Sequence, residues 1–191
     1  MNTVYAIRPD YDNYNELDLE ANDFIDSFPE EFSYQDANSF DELNLSLASF
    51  WPKMATGFYE IEGEKRKIPD VSVWRNTCLI LSPDAYRYLY EELKAYGEFL
   101  SIWIDGAEWK ILNCITTAEA IPEKTTENQV VFDSYSVSNK YVFKCLHRLG
   151  LGLYCTDKLK KLIEDFGLKG IRFVSEEPQA FEDGARKFSI A

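Results

Sequence analysis

Two stretches of the chain share one hydrophobic pattern: an apolar run, a capped one-stripe helix, a glycine and a second apolar run. In "CLILSPDAYRYLYEELKAYG" (78–97), Cys78–Leu81 is apolar and of strand length. Ser82 is a good N-cap, and Pro83 fits the first helical position because its missing N–H is not needed there. Tyr86, Leu89, Tyr90 and Leu93 recur at helical spacing, and Gly97 is expected to stop the helix. In "LYCTDKLKKLIEDFGLKGIRF" (153–173), Leu153–Cys155 is strand-like and Thr156 or Asp157 caps a helix with the stripe Leu159, Leu162, Ile163 and Phe166. Burying each such side chain is worth about 1.5–3 kcal/mol, so this helix must dock on a sheet. Gly167 suits the left-handed position after the helix, with Leu168 back near Ile163. Gly170–Val174 is the exit strand.

Between the two, "FLSIWIDGAEWKILNCI" reads as strand, Asp105-Gly106 turn and strand. "NTVYAI" (2–7) is an opening strand, and "QVVFDSY" and "KYVFKCL" are two more. Ser39-Phe40-Asp41-Glu42 fits a capping box ahead of a helix through Leu43 and Leu47. Residues 62–70 and 116–128 are polar connectors. The pattern predicts one α+β domain: two similar strand–helix–strand lobes around a mixed, largely antiparallel sheet system. An acidic segment and connector (1–67) precede the core (68–174), and a polar tail (175–191) follows it.

The chain has 191 residues, 46% of them hydrophobic, which suits a single packed core. Charge changes the picture. Residues 1–50 hold twelve acids and one base, Arg8, and so carry −11 of the net −13. Such a surface repels nucleic-acid phosphates and anionic lipid and favours cationic partners. The acids are interleaved with aromatics. The plain reading is a solvated face anchored by those rings. The functional reading is a binding surface for a basic partner, in which charge speeds encounter and aromatics supply anchors. Its expected residues are Asp10, Tyr11, Asp12, Tyr14, Glu16, Asp18, Asp23, Asp26, Glu30, Glu31, Asp36, Asp41 and Glu42.

Candidate chemistry is sparse. No secretory signal or membrane span is visible, and the four scattered cysteines read as reduced thiols of a cytoplasmic protein. Cys145 and the only histidine, His147, would share one face of an extended strand, as a cysteine–histidine enzyme requires. A cysteine in an apolar strand is more simply a small core residue. Cys145, His147 and Cys155 match no common zinc spacing. No catalytic residue, metal or cofactor is assigned; a regulatory binding module is the alternative to such an enzyme.

"YVFKCLHRLGLGLYCTDKLKKLIEDFGLKGIRF" (141–173) resembles the C-terminal signature of a bacterial immunity-protein family, the eleventh in the polymorphic-toxin classification. The shared features are the Val142-Phe143-Lys144 strand, the apolar strand ending at Thr156, the amphipathic helix, and Gly167-Leu168-Lys169-Gly170 before an apolar strand. Pro69-Asp70 with Leu79–Ser82 resembles an upstream family segment, and Trp109–Asn113 another. The resemblance implies function by binding: a cytoplasmic protein that neutralises a cognate toxin domain, with no catalysis and no cofactor. That partner is expected to be basic, with nucleases among the candidates.

Overall fold

Side-chain alternation on two sheets that share one hydrophobic cluster decides what is inside. The computed structural model describes residues 3–60, 65–126, 129–147 and 151–175. The expected tail after Ser175 and residues 61–64 of the connector lie outside the described residues. In chain order the elements are β1 (Val4–Pro9), β2 (Leu17–Asp18), α1 (Tyr34–Asn38), β3 (Met54–Ala55), β4 (Gly57–Phe58), β5 (Val71–Trp74), β6 (Cys78–Leu81) and α2 (Pro83–Leu93). They continue with β7 (Gly97–Ile104), β8 (Ala107–Cys114), α3 (Ser134–Val137), β9 (Val142–Cys145), β10 (Gly152–Thr156), α4 (Asp157–Asp165) and β11 (Ile171–Ser175).

One sheet has the order β3-β7-β8-β6-β5 and a second β11-β1-β10-β9, while β2 and β4 form a small pair. Every pairing is antiparallel except that of β3 with β7. The fold is α+β with mixed, largely antiparallel sheets, as the sequence pattern implies.

Val71, Val73, Leu79, Leu81 and Leu112 face Ile7, Val142 and Leu153 of the other sheet, and the inner stripes of α2 and α4 join the same cluster. The alternate residues Trp74, Cys78, Ile80, Ile102 and Ile111 point the opposite way. There the acidic segment covers them with Leu17, Leu19, Phe24, Phe40 and Leu47. On the far side, Ala6, Phe143, Cys145 and Tyr154 are covered by Ala118, Val130 and Val137.

Local signals are realised in detail. The Ser82 hydroxyl accepts the Ala85 N–H at 3.2 Å, and Thr156 accepts that of Lys158 at 3.4 Å. Gly167 has φ +66°, and the Leu168 N–H donates to the Ile163 carbonyl at 3.0 Å, which closes α4 in a Schellman stop. Asp105 and Gly106 both have positive φ, the geometry of a two-residue hairpin turn.

Three expected elements come out differently. The capping box belongs to Ser33 and Asp36, which cap α1. Ser39–Leu43 makes only one turn, which Asn44 ends at φ +55°, so no helix runs through Leu43 and Leu47. Residues 129–135 form no strand. They make isolated bridges and lay Val130 and Phe132 onto a sheet face instead of pairing at an edge. Gly97 is not a helix stop: α2 ends at Leu93, and Gly97 opens β7, where a Cβ would overlap the Asn113 carbonyl.

Candidate functional site

The acidic segment is bolted to the five-stranded sheet by a buried polar network. The β5–β6 hairpin places Arg75 in the left-handed region at φ +53°, which carries its guanidinium over the Phe40 ring at 5.2 Å. From there it pairs with Asp41 at 3.5 Å and donates to Asn38. Thr77 Oγ1 donates to the same carboxylate at 3.2 Å. Lys144, fully buried on β9, donates its ammonium to the Asp41 backbone carbonyl at 2.9 Å. Burial pulls the Lys144 pKa below the usual lysine value.

A second cluster fixes the loop beyond. The Glu98 carboxylate accepts the backbone N–H of Leu47, that of Ala48 at 3.2 Å and the Ser46 hydroxyl at 2.7 Å. Asn113 Nδ2 donates to Glu98 at 2.8 Å and to the Leu45 carbonyl at 2.9 Å. The Trp74 indole donates to the Leu19 carbonyl at 3.1 Å. Of these polar residues, Lys144 and Asn113 sit within apolar strand runs, "YVFKC" and "KILNC". Such an interruption is the sequence signal that could have marked them, because a polar group buried in a strand needs a partner.

The candidate binding residues then separate by what they already hold. Asp41 is 5% exposed and occupied internally, so it leaves the surface set. Asp10 and Asp12 reach Arg172 at 3.8 and 2.9 Å. Glu16 accepts the Tyr11 hydroxyl at 3.1 Å, and burial and that carboxylate push the tyrosine pKa up. Asp18 hydrogen-bonds Tyr59. Asp23 closes a capping box with Glu20, and Asp36 another with Ser33. Tyr14 bridges to Lys67. Four expected acids remain exposed and engage none of the described residues: Asp26, Glu30, Glu31 and Glu42.

No family model matches the chain, and no curated protein matches it.

Asp26, Glu30 and Glu31 stand on a run that also carries Phe28 and Phe32. Phe28 lies 4.7 Å from Phe50 and 5.7 Å from Phe32, ring centre to ring centre, with Phe32 5.7 Å from Phe50. Phe24 beneath them is 1% exposed and packs on Trp51 at 5.1 Å and on Trp74 at 6.1 Å. Phe24 is thus the core anchor, while Phe28, Phe32 and Phe50 are half-buried and Tyr34 is 53% exposed.

The cysteines sit inside. Cys145 is fully buried, and its sulfur accepts the His147 backbone N–H at 3.4 Å. Burial pushes the Cys78 and Cys114 thiols up to about 12 and raises Cys155 as well, whereas a reactive thiol needs a lowered pKa and access. Among the described residues no group of three or more histidine, cysteine or acidic side chains could hold a metal ion, and no helix is long and apolar enough to cross a membrane.

Proposed function

We propose that this chain is an immunity protein that binds a basic bacterial toxin domain and neutralises it by direct contact. The observation that carries this reading is the row of free carboxylates, Asp26, Glu30 and Glu31, beside the half-buried rings of Phe28, Phe32 and Phe50. The resemblance of residues 141–173 to an immunity family agrees with it. Free carboxylates accelerate encounter with a cationic partner, toward 10⁸–10⁹ M⁻¹s⁻¹ at low salt in the strongest cases. Rigid aromatics then supply the desolvated contact that slows release. The acids already paired to Arg172, Tyr11 and Arg75 shape the segment and contribute less to capture. A neutralising interface should bury about 1,600 Å² in total.

The test is coexpression. On this reading a large gene should lie immediately upstream; the C-terminal domain it encodes should poison cells, and this chain should restore their growth. Reversing Asp26, Glu30 and Glu31 together to lysine should abolish rescue while leaving the fold intact by circular dichroism. A toxic neighbour that this chain leaves toxic, or a neighbour with no toxicity, would sink the proposal.

A further inference from the structure

β7 is paired along its whole length on one side only. Ile104 and Ala107 close the hairpin turn, so the backbone groups of Ile102, Leu100 and Glu98 face β8. Those of Trp103, Ser101 and Phe99 therefore face the opposite edge. Two contacts agree with this register: the Thr56 N–H donates to the Trp103 carbonyl at 2.9 Å, and the Trp51 indole donates to that of Ser101 at 3.0 Å. β3 is only two residues long and pairs at Ile102 and Trp103. The register thus leaves the Phe99 N–H, the Phe99 carbonyl and the Ser101 N–H on the outer edge, beyond the two residues that β3 pairs.

These open groups border a slot of about 250 Å³ walled by Trp51, Pro52, Lys53, Phe99, Ser101 and Trp103. Tyr86 and Tyr90 of α2 stand 5.1 and 5.6 Å from the Phe99 ring, and Tyr90 is 37% exposed. A strand laid on this edge would therefore find rings for its alternate side chains. At the slot, Trp51 follows Phe50, which packs on Phe28 and Phe32. The slot is thus linked through Phe50 to the aromatic cluster, whose segment carries the unpaired Asp26, Glu30 and Glu31.

We infer that the β7 edge accepts an extended, lysine- or arginine-bearing segment of the protein partner as an added strand. Main-chain bonds to Phe99 and Ser101 would provide affinity, the aromatic slot would select a side chain, and the strongly acidic N-terminal segment would favour basic residues. The inference rests on the binding role proposed above. A second copy of the chain is a poorer occupant, because a net charge of −13 opposes self-association.

The test uses the full chain and an acetylated ten-residue peptide of alternating valine and lysine. Binding should slow hydrogen exchange at the Phe99 and Ser101 amides about tenfold and weaken at least about fivefold between 50 and 500 mM salt. The same peptide N-methylated at alternate residues should not bind. Ser101→Pro removes an N–H that points away from β8, so it should keep the hairpin and lose about tenfold in affinity, while Ser101→Ala keeps it. No binding, equal binding of the N-methylated peptide, or protection elsewhere would overturn the inference. Self-association of the chain that Ser101→Pro abolishes would assign the edge to a second copy and overturn it too. Because the assay contains no toxin, its failure beside successful growth rescue defeats the edge alone. Success beside failed rescue defeats only the immunity reading.

Discussion

Asp41 illustrates how much an acid's setting matters. It belongs by sequence to the acidic run, yet it holds Arg75 and Thr77 inside the molecule. Asp41→Ala should destabilise the fold by about 2–4 kcal/mol, near the range for breaking a largely buried pair, because Arg75 would lose its counter-charge. Glu42→Ala, one position on and exposed, should stay within about 0.5 kcal/mol. Urea unfolding of both variants decides it, and equal effects would place Asp41 at the surface. The buried thiols carry a pH signature. Cys78 and Cys114 are raised from 9.0 to about 12. Between those values the unfolded chain has released protons that the folded chain retains, so stability falls as pH rises above 9.0. Each thiol contributes a slope of up to about 1.4 kcal/mol per pH unit. Lys144, lowered by burial, acts in the opposite direction as a single group. The urea midpoint should therefore drop between pH 8.5 and 10.5, and the drop should shrink in the Cys78→Ala/Cys114→Ala double variant. An unchanged midpoint in the parent protein would mean that these thiols are not shielded.

Glycines sort the elements by the kind of constraint each one carries. Gly106 sits in a left-handed turn with open space around its α-carbon, so Gly106→Ala pays only backbone strain, about 1–2 kcal/mol. Gly97 has an ordinary strand backbone, but its α-carbon abuts the Asn113 carbonyl, and Gly97→Ala should cost more than about 3 kcal/mol. Thermal unfolding of the pair would reverse this assignment if Gly106→Ala proved the more damaging. The contrast also explains what the sequence made legible. The Asp105-Gly106 turn, the Ser82 and Thr156 caps and the Gly167 stop are decided within a few residues, so they can be read locally. Gly97 depends on a neighbouring strand, and read locally it looks like a helix terminator. Lys144 was hidden in the same way, because its partner Asp41 lies 103 residues away. Residues 129–135 carry a strand-like composition, yet Val130 and Phe132 cover a sheet face rather than join an edge. For the candidate site, the acidic-aromatic character of residues 10–42 was visible in the composition. Which acids stay free was not, since that depends on where Arg172, Arg75 and Tyr59 fall after folding.

At the scale of the molecule, one charge distribution should produce two salt responses of opposite sign. Twelve acids crowd the first 50 residues against a single base, and Asp26, Glu30, Glu31 and Glu42 lack internal compensation. Their mutual repulsion acts over about 30 Å at 10 mM salt and only a few ångströms near 1 M. Screening should therefore stabilise the free protein. Between 10 and 500 mM sodium chloride its melting temperature should rise by several degrees, at about 2–4 °C per kcal/mol for a chain of this size. The few exposed ion pairs, such as Arg172 with Asp12, are worth too little to reverse that trend. Capture of a basic partner should respond the other way, its association rate falling about tenfold or more over the same range as steering is lost. Both responses draw on the same carboxylates, so the triple change Asp26→Asn, Glu30→Gln and Glu31→Gln should flatten the two together. Calorimetry and stopped-flow association on the same samples separate the possibilities. If the melting response flattened while the association rate kept its full salt dependence, the steering surface would lie elsewhere on the molecule.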